Sequence, residues 1–259
     1  TGDKLSPFMS FGKMPSANGF LDENNFDNEF FYEMEVGFSS KVSLLQLNEF
    51  SNPVKVHNDR YPFYTSSSLN MKNHFNKFAH WLKEKYLHNG SKLIEVGSND
   101  GTLLENFKNS NIEAVGFEPS ITIAELANKK NIKTLSKFFN TQNLDEIKNF
   151  HTSVDVICSA NVIAHIPDLK DVIKCVDKLL SSKGLLIFEE PYLGSMFSKI
   201  SYDQIYDEHI FMFSVNSIKK IFDLFDFELI DVLPQVTHGG SMLSLIHISE
   251  PTRPERIAD

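Results

Sequence analysis

Acidic residues bracket a glycine turn near the middle of the chain. The run Glu95-Val96-Gly97-Ser98-Asn99-Asp100-Gly101 follows an apolar stretch and leads into a helical pattern. In an open parallel sheet, ligands bind at the carboxyl ends of the strands, and glycines there allow a tight turn and close backbone approach. The run lacks the G-x-G-x-x-G spacing of a dinucleotide loop, and Thr102 stands where a phosphate loop would carry lysine. No Lys or Arg lies between Glu95 and Asp100. Carboxylates at that place repel phosphate and favour a sulfonium and an ammonium group, so the expected ligand is S-adenosylmethionine. Glu118 lies 17 residues beyond Gly101, at the end of Gly116-Phe117-Glu118 and ahead of Pro119 and Ser120. An acid at that place is suited to accept both ribose hydroxyls. Asn161 follows a later strand beside the same crevice, and Phe138 and Phe139 are candidates either to pack on an adenine or to fill the core.

The elements that must position these residues alternate between strand and helix. Candidate strands cover 92–96, 114–118, 132–135, 155–160 and 185–189, with helices at 102–109, 122–130, 144–149 and 169–180 between them. Short apolar strands with intervening helices predict a parallel sheet covered on both faces. A helix over 69–86 precedes this series. A helix over 215–225 follows it, then strands at 227–233 and 241–248, the last antiparallel. The expected fold is therefore α/β, with a seven-stranded, mostly parallel sheet. Residues 1–50 read as a small, irregular module in which 31–36 and 43–47 pair as short strands. Residues 51–68 read as a connecting loop.

Six segments together resemble one family: 94–101 (IEVGSNDG), 116–120 (GFEPS), 161–167 (NVIAHIP), 189–194 (EEPYLG), 202–214 (YDQIYDEHIFMFS) and 238–241 (HGGS). The family is the nucleotide-sugar C-methyltransferases of deoxysugar biosynthesis, and the resemblance runs from about Phe11 to Ser241. It implies a Rossmann-like class I methyltransferase fold and a reaction in which a nucleotide-linked 4-keto-6-deoxy sugar loses the proton at C3. The enolate then takes the methyl group of S-adenosylmethionine in line. By the same resemblance His209 is the base and Glu208 positions it or the substrate. Tyr206 and His165 are polar groups around the sugar, and Tyr61, or Tyr64 in a shifted register, closes over the site. Tyr192, Asp203, His238 and Gly239 are expected on the substrate side. A small-molecule O- or N-methyltransferase on the same fold, or a cofactor-binding but inactive module, stays open as an alternative.

Two departures from the family stand out. Its members begin with a zinc module holding two Cys-x-x-Cys pairs. Here the second pair's places hold Ser39 and Val42, and tetrahedral zinc needs four N or S ligands, so no zinc or other metal is expected. Members also continue past HGGS into a carboxyl-terminal domain that helps bind the nucleotide. Residues 249–259 (SEPTRPERIAD) instead resemble translated adapter read-through, so a truncated frame with a foreign or disordered tail is expected after a methyltransferase domain over 51–248.

Composition bounds the partners. A net charge of −9 argues against nucleic acid. The chain holds no run of about 18 apolar residues, so no membrane span is expected. Its two cysteines, Cys158 and Cys175, lie in apolar segments and read as reduced, buried thiols of a cytoplasmic protein. A monomer acting on a nucleotide-sugar substrate is the expectation.

Overall fold

The computed structural model describes residues 5–18, 20–49 and 62–249. Tyr61 and residues 250–259 of the expected tail lie outside them.

The larger sheet holds seven strands: β4 (Lys92–Val96), β5 (Glu113–Phe117), β6 (Thr134–Leu135), β7 (Val154–Ala160), β8 (Leu180–Pro191), β10 (Phe227–Gln235) and β11 (Ser241–Ile248). Their order is β10-β11-β8-β7-β4-β5-β6, and β11 alone runs against its neighbours. The strand order reverses beside β4, which places a crevice above its carboxyl end. Residues along these strands alternate between two cores. Ile94, Val96, Ile157, Leu186 and Phe188 join one cluster, and Leu93, Val156, Cys158, Leu185 and Ile187 join the other. Burial on both faces explains why the strands read as continuous apolar runs.

Helices α1 (Leu69–Lys85), α2 (Ile121–Lys129), α3 (Leu169–Leu179), α4 (Leu193–Lys199) and α5 (Val215–Asp223) complete the layers. Their starts are local in origin. Ser68 accepts from Met71 N at 3.3 Å, Asp168 accepts from Asp171 N at 3.0 Å, and Ser214 and Ser217 form a reciprocal capping box.

Two expected helices are instead 3₁₀ turns, at Leu104–Phe107 and Leu144–Phe150. In the first, the Asn106 amide donates to the carbonyls of Thr102 and Leu103, drawing on acceptors that a longer α-helix would use. In the second, Ile147 at φ −126°, ψ 38° interrupts the helical path.

The amino-terminal residues form a second sheet of β1 (Ser6–Pro15), β2 (Phe31–Ser39), β3 (Leu44–Leu47) and β9 (Phe211–Met212), all antiparallel. Its fourth strand thus comes from a segment more than 160 residues downstream of β3. The expected pairing of 31–36 with 43–47 corresponds to β2 against β3. Strand β1 escaped notice because most of its side chains are exposed, leaving no alternation to read. The cores also cross the boundary expected at residue 50: Met196 and Met212 pack with Tyr32, Met34 and Val36, while Val42 and Leu44 join the main core.

Candidate active site

One cavity of about 450 Å³ spans the crevice. It runs from the turn after β4 to the segment that precedes β9.

At the β4 end, the glycine turn is built by left-handed backbone. Gly97 sits at φ +69° and Gly101 at φ +79°, and a Cβ on Gly97 would stand 2.3 Å from a methyl carbon of Val162. Only glycine satisfies both demands. The Phe117 carbonyl accepts from Gly97 N and Ser98 N at 2.8 and 3.0 Å, tying the turn to the end of β5. Glu118 then receives Asn99 N at 3.1 Å and Ser120 N at 2.9 Å.

Three carboxyls converge here. Glu95 is buried, and its Oε2 makes no hydrogen bond. Burial, then the charges of Glu118 and Asp100, push its pKa well above the usual carboxylate range. Glu118 is raised as well, by burial. Burial also acts to raise Asp100, but hydrogen bonds from Ser66 and Thr102 and the charge of Lys130 outweigh it, and its pKa is lowered. Lys130, invisible to a reading of the turn alone, lies 3.7 Å from Asp100 Oδ2 and donates to the Asp100 carbonyl at 2.9 Å. Asp100 therefore braces the turn, and Asp100, Glu95, Ser98, Gly101 and Ser120 do not line the cavity, whereas Gly97, Asn99, Glu118, Pro119, Phe139 and Asn161 do. Asn161 adopts φ +58°, and its Oδ1 is buried with no hydrogen bond. Phe139 stands edge-on to Phe117, with ring centroids 5.1 Å apart.

Residues 63–66 cover this end through contacts the sequence did not announce. Asn99 Oδ1 accepts from Thr65 N at 2.9 Å, and its Nδ2 donates to the Phe63 carbonyl at 3.0 Å. Tyr64 lines the cavity.

The far end holds His165, Tyr206, Glu208, His209 and His238. The rings of Tyr206 and His209 lie 4.4 Å apart, and those of His165 and His209 lie 5.2 Å apart. His209 Nδ1 contacts the Gln204 carbonyl at 2.7 Å, which can only accept, so Nδ1 carries the proton and Nε2 is the lone pair of a neutral ring. Burial lowers the His209 pKa to about 4. Glu208 Oε2 lies 3.8 Å from His165 Nδ1. Burial raises the Glu208 pKa.

Of the remaining expected residues, Asp203 is exposed on a 3₁₀ turn. Tyr192 and Gly239 flank the site without lining it. Tyr192 N instead donates to the Gly240 carbonyl at 3.1 Å.

Two supporting acids were missed. Glu189 Oε2 pairs with His74 Nε2 at 2.6 Å, and its Oε1 accepts from Ser241 at 2.6 Å and from Thr237. These bonds, from either side of His238, hold that residue at φ +48°. Glu190 Oε1 accepts from Val162 N and Ala164 N at 3.0 and 3.2 Å, fixing the turn that carries His165. Two consecutive glutamates at the end of an apolar strand were the available signal, because charge inside a central strand is costly unless it is used.

A family model for the methyltransferase domain matches residues 71–232. The chain belongs to the methyltransferase-domain family. Its sheet order and antiparallel β11 are those of the class I, Rossmann-like members. C-methyltransferase NovU of Streptomyces niveus is 29% identical over 237 residues, covering 91% of this chain and 56% of NovU. The chain thus spans little more than half the length of that curated relative. Among solved structures, the YcgJ protein of Bacillus subtilis superposes at a TM-score of 0.54 with 12% identity, covering 69% of this chain and 100% of YcgJ. The magnesium protoporphyrin IX methyltransferase ChlM of Synechocystis PCC 6803, with bound SAM, gives a TM-score of 0.50 at 13% identity, covering 68% of this chain and 79% of ChlM. Both share the fold of this methyltransferase domain. Among its described residues, no helix is long and apolar enough to cross a membrane, and no group of three or more His, Cys, Asp or Glu is arranged to hold a metal ion. At the places of the family's second cysteine pair, Ser39 and Val42 are both buried.

Proposed function

We propose that this chain is an S-adenosylmethionine-dependent C-methyltransferase acting on a nucleotide-activated 4-keto-6-deoxy sugar. The observation that carries the proposal is the polarity of the cavity: the buried carboxyl of Glu118 on the wall of one end, and a neutral imidazole with a lone pair at the other.

The residues at the β4 end fit the cofactor. Asn161 Oδ1, on the cavity wall, is a buried acceptor with no hydrogen bond, and behind that wall Glu95 is held above its usual pKa by burial and then by the charges of Glu118 and Asp100. A cation relieves that repulsion; a phosphate would add to it. Glu118, fixed by two backbone donors, is placed for the ribose, and Phe139 and Pro119 for the adenine. ChlM, on the same fold, has been solved with SAM bound. When bound, S-adenosylmethionine supplies an electrophilic methyl group on a sulfonium.

At the far end His209 is the base that removes the proton at C3, taking it on Nε2, while the Gln204 carbonyl holds the Nδ1 proton and fixes the tautomer. Glu208, beside His165, offsets the positive charge that builds on the imidazoles as the proton moves. Tyr206 and His238 are placed to bind the sugar. Similarity to the C-methyltransferase NovU supports transfer to carbon. The proposed setting is a monomer in the cytoplasm, in keeping with the two free, buried thiols. No nucleic-acid partner is proposed, in keeping with the net charge of −9.

The test is to supply S-adenosylmethionine with 4-keto-6-deoxy sugar nucleotides and with the same sugars reduced to the 4-alcohol. A C-methyl product from the ketone alone is expected, with solvent deuterium entering C3 when the methyl donor is omitted. Methylation of the alcohol would overturn carbon as the acceptor in favour of oxygen.

A further inference from the structure

The segment that carries His209 is gripped from both sides by the amino-terminal sheet. Before it, the turn after β1 reaches two adjacent buried acids. Ser16 Oγ donates to Asp207 Oδ2 at 2.6 Å, Ala17 N donates to Asp207 Oδ1 at 3.2 Å, and Asn18 Nδ2 donates to Glu208 Oε1. After it, Leu47 N donates to the Ile210 carbonyl at 2.9 Å, and β3 pairs with β9 through Leu45–Met212 and Gln46–Phe211. His209 stands between these two clamps, with Glu208 Oε2 turned toward His165.

We propose that Asn18 is a positioning residue for the methyl-transfer site, the tip of a latch from the amino-terminal sheet that fixes the Glu208 carboxylate beside His165 and His209. The assignment rests on the function proposed above for that site. The physical need is plain. Asp207 and Glu208 are adjacent and buried, so each must find donors or forfeit its charge. His165 Nδ1 lies 3.8 Å from Glu208 Oε2, and the other carboxylate oxygen accepts from Asn18 Nδ2. Asp207, Tyr206, His209 and His165 are the titratable groups around Glu208 from its own segment and from the 163–165 turn, with Tyr32 behind Asp207. From the amino-terminal sheet the side chain on Glu208 is Asn18, a neutral donor that stabilises the ionised carboxylate. The module whose framework resembles the family's zinc module thus has a use at this site: its turn holds the acid next to the proposed base.

The test compares Asn18→Ala and Asn18→Asp with wild type, and with Glu33→Ala on the solvent side of β2. In the Asn18 variants kcat should fall by at least about tenfold, toward the ~10² cost of a misplaced reacting group. KM and S-adenosylmethionine affinity should stay within about twofold, and Glu33→Ala should be silent. Loss of the donor favours neutral Glu208, so the acid limb of the kcat profile should move to higher pH, further in Asn18→Asp than in Asn18→Ala. Histidine imidazole NMR titrations of the same proteins need no substrate, and His165 should titrate at a different pH in Asn18→Asp than in wild type. Unchanged kcat and pH profile in both Asn18 variants, or identical imidazole titrations, would overturn the latch. If the wild-type protein methylates no keto-sugar nucleotide, the proposed function fails, and the NMR comparison still decides the latch.

Discussion

His209 Nδ1 and the Gln204 carbonyl are 2.7 Å apart, five residues from each other along the same segment. This contact fixes a tautomer. A carbonyl oxygen accepts only, so the imidazole spends its proton there and presents Nε2 as a lone pair. Burial keeps the ring neutral. The local chain therefore presents an unprotonated ring nitrogen toward the cavity, as the proposed base requires.

Replacing the proposed base should cripple turnover and spare cofactor binding. His209→Gln is expected to lower kcat by about 10²–10⁴-fold. S-adenosylmethionine affinity, measured by calorimetry, should stay near wild type because His209 lies at the opposite end of the cavity from Glu118. A variant that keeps more than half its activity would remove His209 from the role.

The pH dependence has a definite sign. A base with a pKa of about 4 in the free protein is already unprotonated well below neutrality. The acid limb of kcat/KM attributable to His209 should therefore lie near pH 4, far below the ordinary histidine range. Folding follows the same linkage. The unfolded chain takes up the proton at about 6.5 and the native ring only at about 4, so the histidine weakens folding as pH falls through that window. His209→Gln should remove that part of the slope, about 3 kcal/mol across the window. Thermal melts of both proteins between those pH values measure it.

Glu190 has the opposite slope. Burial raises its pKa to about 8, so the native state holds a proton that the unfolded chain releases near the ordinary carboxylate value. Its contribution is favourable at low pH and declines as pH rises toward 8. Glu190→Gln keeps an oxygen for Val162 N and Ala164 N and cannot ionise. Its melting temperature relative to wild type should rise with pH between 5 and 8 in paired thermal scans, and a constant offset would refute the assignment.

At the proposed cofactor end, Glu118→Ala should weaken S-adenosylmethionine binding by roughly 10- to 100-fold, the value of a hydrogen bond to a charged group. It also releases Asn99 N and Ser120 N from their shared acceptor. Calorimetric titration of wild type and variant decides it, and equal affinities would place the ribose elsewhere.

Gly97→Ala tests the turn itself. The added carbon meets Val162 at 2.3 Å on a backbone at φ +69°. Overpacking and the left-handed conformation together should cost about 2–4 kcal/mol. Adding Val162→Ala should recover the overpacking share and not the backbone share. Denaturant unfolding of the single and double variants separates the two.

Periodicity and turn chemistry made much of this protein legible from its residues. Alternating apolar strands and helices gave the seven-stranded sheet, because burial on both faces writes itself into continuous apolar runs. The glycine turn after β4 and Glu118 after β5 were legible as neighbours on one cavity wall, because strand ends in an open parallel sheet converge at one crevice. The Glu208-His209 pair was visible through its motif. Tertiary structure alone decided which partners each residue meets there. Asp100 proved a brace held by Lys130 and Ser66, and Glu189 and Glu190 proved to be the supports of His238 and His165. The amino-terminal turn reached Asp207 and Glu208 across some 190 residues. Hydrogen bonds between distant segments leave no spacing in the sequence. They depend on which surfaces the packed sheets bring together, and the chain's local pattern does not encode that.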